Sequence, residues 1–152
     1  MNQTGVVIVD LDGTVALNQH RYHLIDKKGG RKADWEAFFL ACVDDLPNSP
    51  VIETVNALSA RGYFIHIFSA RGKIAFDQTL EWLNRFAVSY DKLTMREIGC
   101  YEPDELLKES WLRTYYPDYI KSVSFVIDDR DKVVQMWRSL GLTCFQVAEG
   151  DF

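Results

Sequence analysis

A chain of 152 residues with 47% hydrophobic and 26% charged residues has the composition of a globular protein. That composition excludes disordered and fibrous classes, and the length supports one well-packed domain rather than two. Seventeen Lys and Arg against 22 Asp and Glu leave a net charge of −5, which argues against a protein that coats nucleic acid with a basic face but not against one that acts on a nucleic-acid end. No apolar run approaches a membrane span and the first residues, MNQT, lack the regions of a signal peptide. A cytoplasmic location without membrane contact is expected, with the scattered Cys42, Cys100 and Cys144 reduced.

The chain opens on VVIVDLDGT at 6–14, four β-branched apolar residues that read as a strand buried on both faces. They run straight into Asp10 and Asp12, then break at Gly13. Carboxylates at the end of a buried strand are costly unless they are paired, protonated or metal-bound. Period two along an extended strand turns both to one side.

Residues 15–50 form an insert that is too long for a plain connection and too small for a domain. HLIDKKGGRK reads as a short hairpin with a Gly-Gly turn, and ADWEAFFLACV as an amphipathic helix with Trp35, Phe38, Phe39 and Cys42 on its apolar side. Arg21, Lys27, Lys28, Arg31 and Lys32 make this a basic segment beside the first carboxylate pair.

Beyond the insert, helical patterns at Val51–Ala60, Ile74–Phe86, Asp104–Tyr115 and Lys132–Leu140 alternate with apolar runs at Phe64–Phe68, Leu93–Met95, Val123–Ile127 and Thr143–Val147. Pro50 suits a first helical turn, and Gly141 a helix C-cap. Ile74, Leu80, Leu83 and Phe86 fall along one side of their helix. This βα rhythm predicts an α/β fold: an open parallel sheet of about five strands flanked by helices, with a minimal helical and hairpin insert. Such sheets bind ligands outside the carboxyl ends of their strands.

Four groups of residues collect at that edge. Asp10 and Asp12 follow the first strand, Ser69 and Arg71 the second, and Asp128 and Asp129 the fourth, with Lys108 in the helix before it. Carboxylates from two strand ends make an oxygen-only donor set suited to a hard cation such as Mg²⁺. Ser69-Ala70-Arg71-Gly72, read as the passage from strand to helix, offers a hydroxyl, backbone N–H groups and a planar guanidinium to an anion. A cation between carboxylates, ringed by these groups, is a phosphoryl-transfer layout.

DLDGT at 10–14, Ser69 after an apolar strand, Lys108 in LLKESW and IDDRDKV at 127–133 resemble the four motifs of the haloacid dehalogenase (HAD) superfamily of phosphatases. The likeness is closer to one branch, the 3'-phosphatase domain of phage polynucleotide kinase-phosphatases. Ser69-Ala70-Arg71, Asp104 four residues before the lysine, Arg21 eleven residues after Asp10, and the tail VVQMWRSLGLTCFQVAEGDF are similar to it. The resemblance covers nearly the whole chain and is weak over 15–50 and the third strand. Ala70 stands where the branch has glycine, and no GxxxxGK[ST] loop occurs, so no linked kinase half is expected within these residues.

The resemblance implies a single HAD-like, Rossmannoid phosphatase domain over 1–152, with the insert at about 15–50 as a small cap or flap. It implies that Asp10 attacks phosphorus and becomes an aspartyl-phosphate, and that Asp12 donates and recovers the proton. Mg²⁺ would be held by Asp10, Asp128, Asp129 and the main-chain carbonyl of Asp12. Thr14, Ser69, Ala70 and Lys108 would bind phosphate, Arg21 and Arg71 would clamp substrate, and Asp104 would orient Lys108 or reach the cation through water. The expected reaction is removal of 3'-phosphate from polynucleotide ends, with a kinase or ligase as a separate partner. The alternatives are a nucleotidase, in which Trp35 and the basic hairpin enclose base and ribose, and a non-catalytic nucleic-acid-binding module.

Plainer readings stand beside several of these. Asp10 and Asp12 could cap a helix, Asp129 could pair with Arg130 or cap the next helix, and Lys108 and Arg21 could be solvated. His66, alternating with Phe64 and Phe68, reads as a core histidine. His20 and His23 flank Arg21 and could line the pocket. Trp35, Phe38 and Phe39 either stack a nucleobase or pack their helix down.

Overall fold

The computed structural model describes residues 4–152; Met1, Asn2 and Gln3, the first three residues of the MNQT start, lie outside the described residues. In chain order the elements are β1 (Val6–Val9), β2 (Ala16–Leu17), α1 (Trp35–Leu40), β3 (Leu46–Pro47), α2 (Ser49–Ala60), β4 (Phe64–Gly72), α3 (Phe76–Arg85), β5 (Lys92–Arg96), α4 (Asp104–Tyr115), α5 (Tyr119–Ser122), β6 (Val123–Asp128), α6 (Asp131–Ser139) and β7 (Cys144–Gln146). Five strands form one sheet in the order β5-β4-β1-β6-β7, every neighbour parallel.

β1 is central because its residues are apolar on both faces. Val7 and Val9 pack into one core with Ile65, Ile67, Trp82 and Leu83; Val6 and Ile8 pack into the other with Phe68, Val126, Val133 and Trp137. The chain leaves β1 for β4 and β5 on one side, then returns to β6 and β7 on the other. That reversal opens a crevice beside the carboxyl end of β1.

The insert closes differently from the predicted hairpin. Its ladder is β2 against β3, with Ala16 opposite Pro47 and Leu17 opposite Leu46, whereas residues 28–30 form a short 3₁₀ turn. Gly29 and Gly30 both take positive φ, +70° and +76°, as a two-residue turn would require. No ladder extends from them because Lys27, Lys28, Arg31 and Lys32 on either side have no apolar face to bury.

Two boundaries also differ. Ser69-Ala70-Arg71-Gly72 is the end of β4, with a 3₁₀ turn over Lys73–Ala75 before α3. The α3 N-terminus therefore does not adjoin Ser69. The buried face of α3 is Thr79, Trp82 and Leu83, and Ile74 is exposed. Ile74 lies in the 3₁₀ turn before α3 and so falls outside the helical repeat, in which Thr79, Trp82, Leu83 and the partly buried Phe86 share one face. No described helix is long and apolar enough to cross a membrane.

Candidate active site

β1 delivers Asp10 to the rim, where its N–H donates to the Ile127 carbonyl at 2.9 Å. Gly13 turns the chain away at φ +80°, and a Cβ there would come within 2.2 Å of Asp129 Oδ2. Only glycine lets this loop lie against the β6 end. The Thr14 hydroxyl then faces back, 2.9 Å from Asp10 Oδ2 and 3.2 Å from Asp129 Oδ1.

Asp128 and Asp129 arrive from β6. The Asp129 N–H donates to Asp128 Oδ1 at 2.8 Å, and the Trp137 indole N–H to Asp128 Oδ2 at 3.2 Å. Asp10, Asp128 and Asp129 each offer an oxygen, all three within 4.8 Å of one another, and all three are buried. Arg130 pairs with Asp104 rather than with Asp129.

Lys108, projecting from α4, is buried and donates to Asp10 Oδ1 at 2.7 Å and to Asp128 Oδ2 at 3.1 Å. Burial opposes its charge, yet Asp10 and then Asp128 raise its pKa. Burial first, and then the Asp128 carboxylate, push Asp10 well above the ordinary range against the pull of Lys108. Burial likewise raises Asp129. Three clustered carboxylates share one ammonium, and a hard divalent cation bound there would supply the two positive charges they lack. The donor set, all oxygen, fits such an ion.

Asp12 occupies a different electrostatic setting. Arg21 Nη2 lies 2.7 Å and Arg71 Nη2 2.5 Å from its Oδ1. Burial pushes the Asp12 carboxyl up, but Arg71 and then Arg21 outweigh it and bring the pKa down to about 2. Both bonds fall on Oδ1, which leaves Oδ2 available, and the side chain keeps 21% exposure.

Both arginines, expected from the resemblance to clamp substrate, are buried, at 0% and 1% exposure. Arg21 donates from Nε and Nη2 to Asp45, at 2.8 and 2.6 Å, and from Nη1 to the Phe38 carbonyl at 3.0 Å. Arg71 donates to Thr79 Oγ1 at 2.9 Å and reaches Asp45 at 3.4 Å. Arg71 Nε is buried and has no partner among the described residues, while the Nη2 groups of both arginines meet Asp12 and favour its charged form.

Asp45 was not foreseen from the sequence. It sits beyond the 3₁₀ turn that follows α1, 2% exposed, with His20 Nε2 at 2.7 Å and its carbonyl accepting the Trp82 indole N–H at 2.9 Å. The available signal was arithmetic: two arginines flank Asp12, and buried guanidinium groups need a second anion.

Asp104 has partners other than Lys108. Its two oxygens accept from Arg96 at 2.7 Å and Arg130 at 2.8 Å, so it acts on Lys108 only through its charge. Ser69 is buried, its Oγ accepting from the Arg71 N–H at 3.3 Å, and the Ala70 carbonyl accepts from Arg96 at 2.9 Å. His66 is fully buried, its nitrogens 2.7 Å from the Tyr116 and Thr94 hydroxyls, as a core histidine. His20 reaches the site through Asp45, whereas exposed His23 contacts the His20 carbonyl. Phe38 and Cys42 are buried, but Trp35 stays half exposed.

The family model for the polynucleotide kinase PNKP phosphatase domain matches residues 4–152. A chain in the structure of the Pnkp1/Rnl/Hen1 complex superposes with a TM-score of 0.79 at 32% identity, over 99% of this chain and 48% of that one. This chain thus spans about half the length of that relative. An HAD-superfamily hydrolase from Ehrlichia chaffeensis (15% identity, TM-score 0.59, 96% of this chain and 87% of that one) shares the fold. So does the class C acid phosphatase from Bacillus anthracis (18%, 0.58, 88% and 54%).

Proposed function

Because the chain belongs to the family of polynucleotide kinase PNKP phosphatase domains, and so is an HAD-superfamily phosphatase, we propose that it removes 3'-phosphate from polynucleotide ends through an aspartyl-phosphate on Asp10. One observation carries the reading. Two carboxylates one residue apart stand in opposite settings, Asp10 among acids and Lys108, Asp12 between two arginines with Oδ2 free. Position rather than charge state divides the roles: Asp10 stands against Lys108 within the acid cluster, where phosphate and cation would meet, and Asp12 presents one free oxygen beside it.

In the first step an Asp10 oxygen bonds to phosphorus as the bond to the sugar oxygen breaks, and Asp12, ionised in the free protein, relays through Oδ2 a proton from the phosphate monoanion to that leaving oxygen. In the second step the Asp12 carboxylate takes a proton from water as its oxygen attacks the same phosphorus, releasing inorganic phosphate and regenerating Asp10. Lys108 and Ser69 hold phosphate oxygens, with Thr14 and Ala70 lining the same cradle and Asp104 supporting its flank. Asp10, Asp128, Asp129 and the Asp12 carbonyl would hold Mg²⁺, which when bound neutralises charge on the phosphoryl group.

In this reading residues 15–50 form the cap of a single domain and the protein works in the cytoplasm, a proposal supported by three cysteines without disulfides. A separate kinase or ligase as partner is supported by the complex in which the relative occurs, described for a second structure as an RNA repair complex.

The test is a comparison of phosphate release from a 3'-phosphorylated oligonucleotide and from free 3'- and 5'-mononucleotides, with Mg²⁺ and with EDTA. Preference for the oligonucleotide, lost in EDTA and in Asp10→Asn, is expected. Preference for mononucleotides would overturn the substrate, and full activity of Asp10→Asn would overturn the covalent route.

A further inference from the structure

The insert carries a feature that the chemistry at Asp10 does not use. Its loop is closed at the base by the Asp34 N–H donating to the Leu24 carbonyl at 2.8 Å. At its tip stand Lys27, Lys28, Arg31 and Lys32, all exposed. None of the four reaches a carboxylate among the described residues. The acids nearest in sequence are turned to the backbone, Asp26 accepting from the Lys28 N–H at 2.9 Å and Asp34 from the Ala37 N–H at 3.0 Å. A Cβ built on Gly29 or Gly30 would meet nothing within 4 Å, so the tip stands clear of the protein.

Stacked groups run from the base of this loop, flanked by Tyr22 and Trp35, to the reacting carboxylates. Arg21, bonded to Asp12, lies 4.5 Å over the Phe38 ring. Trp35 meets Phe38 edge-on at 5.6 Å, and Tyr22 stacks on it at 6.4 Å. Trp35 keeps 51% and Tyr22 39% of its surface exposed. Burial first, and then the charges of Asp129 and Asp12, raise the Tyr22 phenol, as befits a ring at the mouth of the acidic site. In a chain of net charge −5, a run of unpaired cations beside a half-exposed indole is the pairing of backbone grip and stacking platform that single-stranded nucleic acid requires.

We propose that the 27–32 arm and Trp35 grip a single-stranded polynucleotide on the 5' side of its terminal phosphate, the cations meeting phosphodiesters and the indole stacking on a base. The inference rests on the phosphatase reading and extends it: the arm makes strands, rather than mononucleotides, the preferred substrates.

The test compares the wild type with Lys27→Ser/Lys28→Ser/Arg31→Ser/Lys32→Ser and with Trp35→Ala, on p-nitrophenyl phosphate and on 3'-phosphorylated DNA and RNA decamers. In the quadruple variant the ratio of kcat/KM for decamer to that for p-nitrophenyl phosphate should fall about tenfold or more. The slope of log kcat/KM against log salt should flatten by about 0.7 for each phosphate that the variant no longer neutralises. Trp35→Ala should weaken decamer binding, read by fluorescence anisotropy, about tenfold. If p-nitrophenyl phosphate and decamer are both inert with the wild type, the phosphatase reading fails, and anisotropy still decides the arm. If turnover is robust but ratio, slope and anisotropy match the wild type in both variants, the arm is overturned and the chemistry stands. Unequal responses of DNA and RNA assign the preferred strand.

Discussion

Asp12 and Asp45 are joined through one guanidinium group, Arg21 Nη2 lying 2.7 Å from the first and 2.6 Å from the second. Arg71 repeats the bridge at 2.5 and 3.4 Å. The insert is thereby locked to the loop after β1 by charge: two buried cations require two anions, and each β1-side contact has an insert-side counterpart.

Asp45→Asn leaves those arginines with a single carboxylate. Removing one partner of a buried ion pair costs about 3 kcal/mol, and urea unfolding should show a loss of that order, accompanied by reduced turnover. An unchanged unfolding midpoint with full turnover would mean that the bridge holds nothing together.

Asp12→Asn should separate the two half-reactions. With p-nitrophenyl phosphate, whose leaving group needs little protonation, phosphorylation of Asp10 should still occur. Hydrolysis of the aspartyl-phosphate, which lacks its base, should slow by about a hundredfold or more. Rapid mixing is expected to show a burst of p-nitrophenol equivalent to the enzyme, then slow turnover. Steady turnover at the wild-type rate without a burst would remove Asp12 from proton transfer.

Metal binding can be read without catalysis. A ligand that binds only the folded protein stabilises it by about 2.7 kcal/mol at a hundredfold excess over Kd, several degrees of Tm at this size. Mg²⁺ should raise the Tm of the wild type saturably and that of Asp128→Asn little. Equal increments would place the cation elsewhere.

His66 gives stability a dependence on pH. Burial, reinforced by Lys92, lowers its pKa to about 3, against about 6.5 in an unfolded chain. Below 6.5 the unfolded state binds a proton that the folded state refuses, so stability is full above that value and is lost progressively toward pH 3. Between pH 7.5 and 5 the loss from this group amounts to about 2 kcal/mol. The slope should shrink in His66→Gln, and the same slope in both proteins would assign it to other groups.

The parallel sheet was legible because strand burial is written locally. Val6 to Val9 are apolar at every position, and Asp10, Ser69 and Asp128 each end an apolar run, so their convergence on one edge follows from the βα rhythm. Lys108 was placed by its helix and by resemblance, and the structure gives it the partners Asp10 and Asp128. The Gly-Gly hairpin failed for a reason the sequence contains, since its charged flanks offer no face to bury.

Local order along the chain thus determined which residues form strands, which edge gathers the acids, and that Asp10 and Asp128 lie on it. Only the tertiary structure decided who neutralises whom: that Arg21 and Arg71 turn inward to Asp12 and Asp45, and that Asp104 serves Arg96 and Arg130. Burial periodicity repeats every two or 3.6 residues and can be read in a short window. Charge pairing acts through space between segments the fold brings together, and no window of sequence records which buried cation will meet which anion.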